Sequence, residues 1–276
     1  MHFCERQVTT MNSNPLVDYD KVKQLIKQAG EIIIAESSNL TIYTKGKADF
    51  VTQADLRVQN FLKDSLYELY PEIDFMGEEE VASIGDGNPY WILDPIDGTT
   101  NYIYQYHHSA ISLALKDTSG IAFGVIYNPF TNELFSAIRG EGSYLNDTPI
   151  KVNNTVSLDS ALVSVGTSPY HKEMAHSVFR KIEKVYQRAL DIRRTGSAAL
   201  DLAYVACGRQ DAYFEYALKP WDYAAGNLIL AEAGGIVQSI DNKFISYVQP
   251  SSIVACSSKD LMQEIITILK EDSNSV

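Results

Sequence analysis

The chain has 276 residues, enough for one large domain or two closely packed halves, and 45% of them are hydrophobic, which excludes a disordered protein. The net charge of -12 and the pI of about 4.8 argue against nucleic acid as a partner, because such a surface repels phosphate and no basic cluster is longer than Arg193 and Arg194. Three dispersed cysteines (Cys4, Cys207 and Cys256), an N-terminal stretch without a signal-peptide core and no apolar run near the roughly 20 residues of a membrane span argue against a disulfide framework, a zinc site, secretion and membrane insertion, so a cytoplasmic protein is expected.

Apolar residues at Val22, Leu25, Ile26, Ala29, Ile32 and Ile33 have helical spacing and predict a helix over 20–36. "TIYTKGKADFV" reads as a loop or short hairpin. Thr52 reads as the N-cap of a second amphipathic helix carrying Val58, Phe61, Leu62, Leu66 and Leu69, with Asp55 in its first turn and Pro71 at its end. "IDFMG" is strand-like, and the apolar run beginning at Tyr90 is a strand. Beyond it, "AISLALK", "IAFGVIYN", "ELFSAIRG" and "GSYLN" are short runs divided by turn residues, which predicts an antiparallel meander. From about residue 160 strands and helices alternate: "ALVSVG", a helix over 171–189, "DIRRT", a helix over 197–206, "DAYFEY", a helix over 222–233, "GGIVQSI", "IVACSS" and a helix over 259–270. The fold expected is α/β: an α+β N-terminal half with an antiparallel sheet over 1–155, and an α/β C-terminal half over 156–276.

Chemistry concentrates in "YWILDPIDGTTNYIY", residues 90–104. Pro95 lacks an N–H and predicts that the strand stops there. A tight bend then aims Asp94, Asp97 and the Ile96 carbonyl at one point, and Gly98 lets a ligand approach the backbone. Thr99 and Thr100 open a helix, where free N–H groups favour an anion. Two carboxylates about 4 Å apart repel by about 4 kcal/mol at an effective dielectric near 20. A shared proton or a divalent cation has to offset that, and hard oxygen ligands suit Mg²⁺; ordinary turn and capping acids are the bland alternative. Three further stretches carry candidate groups. "GEEE" (77–80) ends a strand-like run, although a charge run is commonly a solvated loop. In "KPWDYAAGNLILAEAGG" Asp222 stands at a helix start, where an Asp also serves as a cap. In "RRTGSAALDLAYVA" the residues Gly196, Ser197 and Ala198 open a helix whose N–H groups could cradle an oxyanion, without the Lys of a P-loop. Glu215 falls at a strand end near the same face. His107 and His108 match no ligand spacing, and no Gly-x-Ser-x-Gly elbow occurs.

In chain order, "DFVTQAD", "GEEE", "WILDPIDGTTNY" and "WDYAAGNLILAEAGG" resemble the inositol monophosphatase family over roughly residues 20–260. The resemblance implies a layered α/β/α/β/α fold and a Mg²⁺-dependent phosphomonoesterase with two to three ions per site. On it, Glu78, Asp94, the Ile96 carbonyl, Asp97 and Asp222 are metal ligands. Asp55 and Thr99 are the catalytic pair that orients and activates the attacking water. Asp97, Gly98, Thr99, Gly196, Ser197, Ala198 and Glu215 form the substrate side. The substrate implied is a small phosphate ester, inositol monophosphate first, with NADP(H), fructose 1,6-bisphosphate and 3′-phosphoadenosine phosphate as alternatives. The resemblance further implies a homodimer and sensitivity to Li⁺. Tyr102 stands where Phe is more usual, and the loop "VASIGDGNP" is short. Two rivals are weighed against this reading. A haloacid-dehalogenase-like phosphatase would carry D-x-D-G-T, whereas the spacing here is D-x-x-D-G-T. A regulatory binding protein of the same fold would be marked by loss of a metal ligand, and none is lost.

Overall fold

The structure, a computed structural model, describes residues 17–38, 40–46, 49–80 and 88–271. Cys4 and most of the loop "VASIGDGNP" lie outside the described residues. The chain opens with helix α1 (Tyr19–Glu36), capped by Asp18, whose side chain accepts from Lys21 N at 3.1 Å. A hairpin of β1 (Ile42–Gly46) and β2 (Asp49–Thr52) leads into α2 (Gln53–Leu69).

The next strands are β3 (Asp74–Gly77), β4 (Tyr90–Asp97), β5 (Ala110–Asp117), β6 (Gly120–Asn128), β7 (Glu133–Ile138), β8 (Ser143–Leu145) and β9 (Thr148–Pro149), with the short helix α3 (Thr99–Ile103) between β4 and β5. They form one sheet in chain order, parallel between β3 and β4 and antiparallel thereafter. The expected meander is therefore present.

The second sheet has the order β11-β10-β12-β14-β13. It is built from β10 (Leu162–Val165), β11 (Asp191–Arg193), β12 (Ala212–Leu218), β13 (Ile236–Ser239) and β14 (Ser251–Cys256). The helices between and after these strands are α4 (Ala175–Tyr186), α5 (Ala198–Ala206), α6 (Pro220–Glu232) and α7 (Lys259–Lys270). β10 runs parallel to both neighbours, and β14 antiparallel to both of its own. The helix expected over 171–189 is shorter, because residues 172–174 form a 3₁₀ turn before α4.

Side-chain alternation shows how these elements stack. In β4, Trp91 and Leu93 belong to a core shared with Val22, Ile26 and Ile33 of α1 and Val58 and Leu62 of α2; Tyr90 and Ile92 face the opposite way, onto α5 and α6. In β12, Tyr213 joins that same α5–α6 core, whereas Ala212 and Phe214 pack with Val178 of α4 and Leu261 and Ile265 of α7. Strands with period-2 alternation and apolar residues on both faces are buried between helices. The layers run α1/α2, seven-stranded sheet, α5/α6, five-stranded sheet, α4/α7, which is the α/β/α/β/α order expected. The central contact is close: a Cβ on Gly124 of β6 would lie 2.8 Å from the Ala225 carbonyl oxygen of α6. Among the described residues no helix is long and apolar enough to cross a membrane.

One expectation is corrected. β4 does not stop at Pro95 but continues to Asp97, and its register against β5 slips between Asp94 and Asp97. A β-bulge leaves the extra residue without a ladder bond, so the proline's missing N–H costs nothing there.

Candidate metal centre

The bulge decides where the acids point. Asp94 accepts from the Ile96 N–H at 3.0 Å, a turn closed within the strand itself. Gly98 follows with φ of 87°, a left-handed conformation that glycine adopts without steric cost. The turn delivers Thr99 to the start of α3, where its hydroxyl donates to the Ile96 carbonyl at 3.1 Å. Asp94, Ile96, Asp97, Gly98 and Thr99 thereby line one cleft of about 680 Å³.

The other predicted residues reach the cleft from separate elements. Glu78 follows the end of β3, where its N–H donates to Leu93 of β4 at 3.1 Å. Asp222 lies in the first turn of α6; its carboxylate accepts from Lys219 N at 2.7 Å, and it lines the cleft as well. It is both a cap and a cleft residue. Glu215 is buried and its carboxylate is held at both oxygens, by Ser168 N at 2.9 Å and the Tyr213 hydroxyl at 2.6 Å. Gly196, Ser197 and Ala198 complete the wall.

Asp55 lies behind this surface, at the third position of α2. One carboxylate oxygen accepts from the Thr52 N–H (2.8 Å) and the Thr52 hydroxyl; the other is buried without a hydrogen-bond partner.

The structure uses the α5 N-terminus in a way the sequence did not suggest. Its N–H groups were expected to cradle a ligand oxyanion. The Ala199 N–H instead donates to Asp97 Oδ2 at 2.8 Å, and the Ser197 hydroxyl donates to the same oxygen. The anion at this helix start is the protein's own Asp97, carried across from the other sheet.

The electrostatics are those of crowded acids. Burial pushes Asp94 well above the ordinary aspartate range, and Glu78, Asp97, Asp222 and Asp55 push it further. Asp222 is raised by burial, then by Asp97 and Glu78. Asp97 is raised to about 6 by burial, against the lowering effect of its bonds from Ser197 and Ala199. Burial raises Asp55 to about 7. Removing carboxylates from water and setting them beside one another favours their neutral forms; a divalent cation reverses that preference.

Among the described residues no three acidic, histidine or cysteine side chains close into a ready-made metal cage. The fit to Mg²⁺ rests on donor chemistry. The cleft presents hard oxygens only at these positions, three of the carboxylates carry raised pKa values, and Mg²⁺ commonly binds through one or two carboxylates while keeping waters and substrate phosphate.

Four basic residues of the C-terminal half, Arg193, Arg194, Arg209 and Lys219, have different surroundings. Arg194 and Lys219 line the cleft. Arg193 pairs with Asp191 at 2.5 Å, and Arg209 pairs with Glu133 while lying over the Tyr204 ring. Asn101 and Asp201 were not singled out from sequence. Asn101 Nδ2 donates to the carbonyls of His108 (2.8 Å) and Thr195 (2.9 Å), bridging α3 to the entry of α5.

The model of the Inositol monophosphatase family matches residues 17–274. The chain belongs to the inositol monophosphatase family. Family relatives include a protein named Nus factor SuhB from Xylella fastidiosa, 39% identical over 214 residues covering 76% of this chain and 78% of that protein. Another is the Inositol-1-monophosphatase of Caulobacter vibrioides, 40% identical over 239 residues covering 85% and 93%. Among solved structures, the extragenic suppressor protein suhB of Bartonella henselae superposes with a TM-score of 0.86 at 34% identity, over 92% of this chain and 98% of that one. An IMPase/NADP phosphatase complexed with Mg²⁺ and phosphate superposes with a TM-score of 0.84 at 25% identity, over 92% and 96%. The layered fold of this chain is the family fold.

Proposed function

We propose that this protein is a Mg²⁺-dependent phosphomonoesterase acting on a small phosphorylated polyol or sugar, with inositol monophosphate the first substrate to test. The observation that carries the proposal is the convergence of Glu78, Asp94, the Ile96 carbonyl, Asp97 and Asp222 on one cleft whose strongest mutual influences are acidic. The names of the Caulobacter enzyme and of the Mg²⁺ and phosphate complex support it.

In this reading those five groups hold two to three Mg²⁺ ions. The ions supply, when bound, Lewis acidity at the phosphoryl oxygens and a lowered pKa for water. The protein's own groups do the rest. In the metal-free protein burial raises Asp55 to about 7, and one of its oxygens has no other hydrogen-bond partner. With Thr99 it forms the pair that takes the proton of the attacking water. Gly98 makes the turn that sets Thr99 beside the phosphate position in the cleft. Glu215, fixed by Tyr213 and Ser168, accepts from a substrate hydroxyl with its remaining lone pairs, beside Gly196, Ser197 and Ala198. No covalent enzyme intermediate is required.

Arg194 and Lys219 on the cleft wall favour a second reading within the same chemistry, a substrate with a second phosphate such as fructose 1,6-bisphosphate or NADP(H). The name Nus factor SuhB among the relatives favours a regulatory role, alone or beside catalysis. The family likeness supports a cytoplasmic homodimer as part of this reading. Phosphate release by the purified protein, screened over these esters with Mg²⁺ and with EDTA, separates the readings. Release that needs Mg²⁺ is expected, and the preferred ester names the substrate. No release from any ester with Mg²⁺ present would leave the regulatory reading.

A further inference from the structure

We infer that Asp201 is a positioning residue: by clamping the entry to α5 it sets the carboxylate of Asp97 for cation binding. The inference rests on the proposed metal role of Asp97.

Asp201 lies one turn inside α5, in the otherwise apolar run "AALDLAYVA", and is only 2% exposed. A carboxylate in such a place must be supplied with donors or it costs several kcal/mol. Asp201 is supplied from three separate segments: the Ser164 hydroxyl of β10 at 2.8 Å, the Thr195 hydroxyl at 2.7 Å and the Gln210 amide at 3.3 Å. These bonds tie the first turns of α5 both to the five-stranded sheet and to the loop that enters the helix.

Thr195 is the middle link of that clamp. Its hydroxyl is held by Asp201 and its carbonyl by Asn101, so the backbone at 195 is fixed from two directions. Two residues later the Ser197 hydroxyl reaches Asp97 Oδ2, and the Ala199 N–H reaches the same oxygen at 2.8 Å. Asp97 Oδ1 is left as the oxygen to offer to a cation, and the direction in which it points depends on where Ser197 and Ala199 stand. The path from Asp201 to the cation site therefore has three links: Asp201 to Thr195, Thr195 to Ser197 along the chain, and Ser197 to Asp97. Groups that orient a metal ligand in this way commonly change metal affinity by about 10- to 100-fold when removed.

Two other roles compete. Asp201 also borders the cleft and could touch substrate directly. Alternatively, the bonds could serve only to start the helix, since the Ser197 hydroxyl also accepts from Leu200 N at 3.3 Å. Titration of the purified, substrate-free protein with MgCl₂ in a calorimeter distinguishes them, with Thr195→Val, Thr195→Ser and Asp201→Asn beside the parent. Thr195→Val keeps the side-chain shape and removes the hydroxyl that donates to Asp201 Oδ2, and Thr195→Ser restores that donor, so the pair isolates the clamp while Asp201 itself is kept.

We expect Thr195→Val and Asp201→Asn to bind Mg²⁺ about 10-fold more weakly, and Thr195→Ser to bind like the parent. If Asp201→Asn fails to fold, the two Thr195 variants decide the matter. Mg²⁺ binding by Thr195→Val within twofold of the parent, even with a lowered unfolding temperature, overturns the inference in favour of a purely structural clamp. So does Thr195→Ser binding as weakly as Thr195→Val. Asp201→Asn that binds Mg²⁺ normally and raises KM for substrate shows direct substrate contact and overturns it too. A parent protein that binds no Mg²⁺ overturns the metal reading itself, and this inference with it.

Discussion

Replacing Asp55 by Asn should make the metal-free protein more stable and the enzyme far less active. Burial lifts the Asp55 pKa from an ordinary 3.8 to about 7, against the opposing bonds from Thr52. The folded state therefore holds this proton more tightly than the unfolded state does. The cost to stability is small below pH 4, grows as pH rises through the window between the two values, and is complete above about pH 7. At about 1.4 kcal/mol per tenfold change in proton affinity, it reaches about 4 kcal/mol at pH 8 and somewhat under 2 kcal/mol at pH 5. Asn carries no charge and escapes this cost, but it weakens the capping box at the start of α2, a loss of about 1 kcal/mol. The variant should be more stable than the parent by about 3 kcal/mol at pH 8, and by about 1 kcal/mol at pH 5. Urea unfolding in EDTA at the two pH values measures both differences. Phosphate release with Mg²⁺ should fall at least about 100-fold, the usual weight of a positioned proton acceptor. An Asn variant no more stable than the parent at pH 8, or an advantage that does not shrink towards pH 5, would refute the reasoning.

Other substitutions test neighbouring parts of the site. Asp97→Asn keeps an oxygen for Ser197 and Ala199 but loses the charge, so turnover should fall by roughly 10³-fold or more while the circular dichroism spectrum is unchanged; near-normal turnover with Mg²⁺ would sink the metal assignment. Gly98→Ala puts a Cβ at a φ of 87°, 3.1 Å from the His108 carbonyl oxygen and 3.2 Å from that of Gly196. It should cost about 1–2 kcal/mol in urea unfolding and lower the activity. Tyr102→Phe removes the hydroxyl that bonds the Ile33 carbonyl near the end of α1 at 3.0 Å. It should cost about 1 kcal/mol with turnover retained.

The helices and both groups of strands were readable because their apolar spacing is local, and most ends lie within a few residues of the expected ones. The site was readable where its groups are close in sequence: Asp94, Ile96, Asp97 and Gly98 share a single turn. What stayed hidden depends on pairings across the chain. Nothing local reveals that Asp97 of one sheet fills the start of α5, or that β4 passes Pro95 through a bulge against β5. Asp201 did leave a signal, an acid in the middle of an apolar helix, and that signal asks for buried donors without naming them. Glu215 read only as an acid at a strand end; its burial and its bonds from Tyr213 and Ser168 depend on pairings that the local sequence does not show.

Asp97 and Ser197 are 100 residues apart, and they meet only when the two sheets have closed on α5 and α6. Asp222 lies further still along the chain. During synthesis, then, the acids at 55, 78, 94 and 97 leave the ribosome long before their partners. Contacts of such separation form late because their loops must close first. A half-made chain holds part of the acidic cluster but neither the helix that aims Asp97 nor the acid of α6. If these acids hold the proposed cation, competence to bind it would report that the whole molecule has assembled, and Mg²⁺ held by the finished site would pull the last closure to completion.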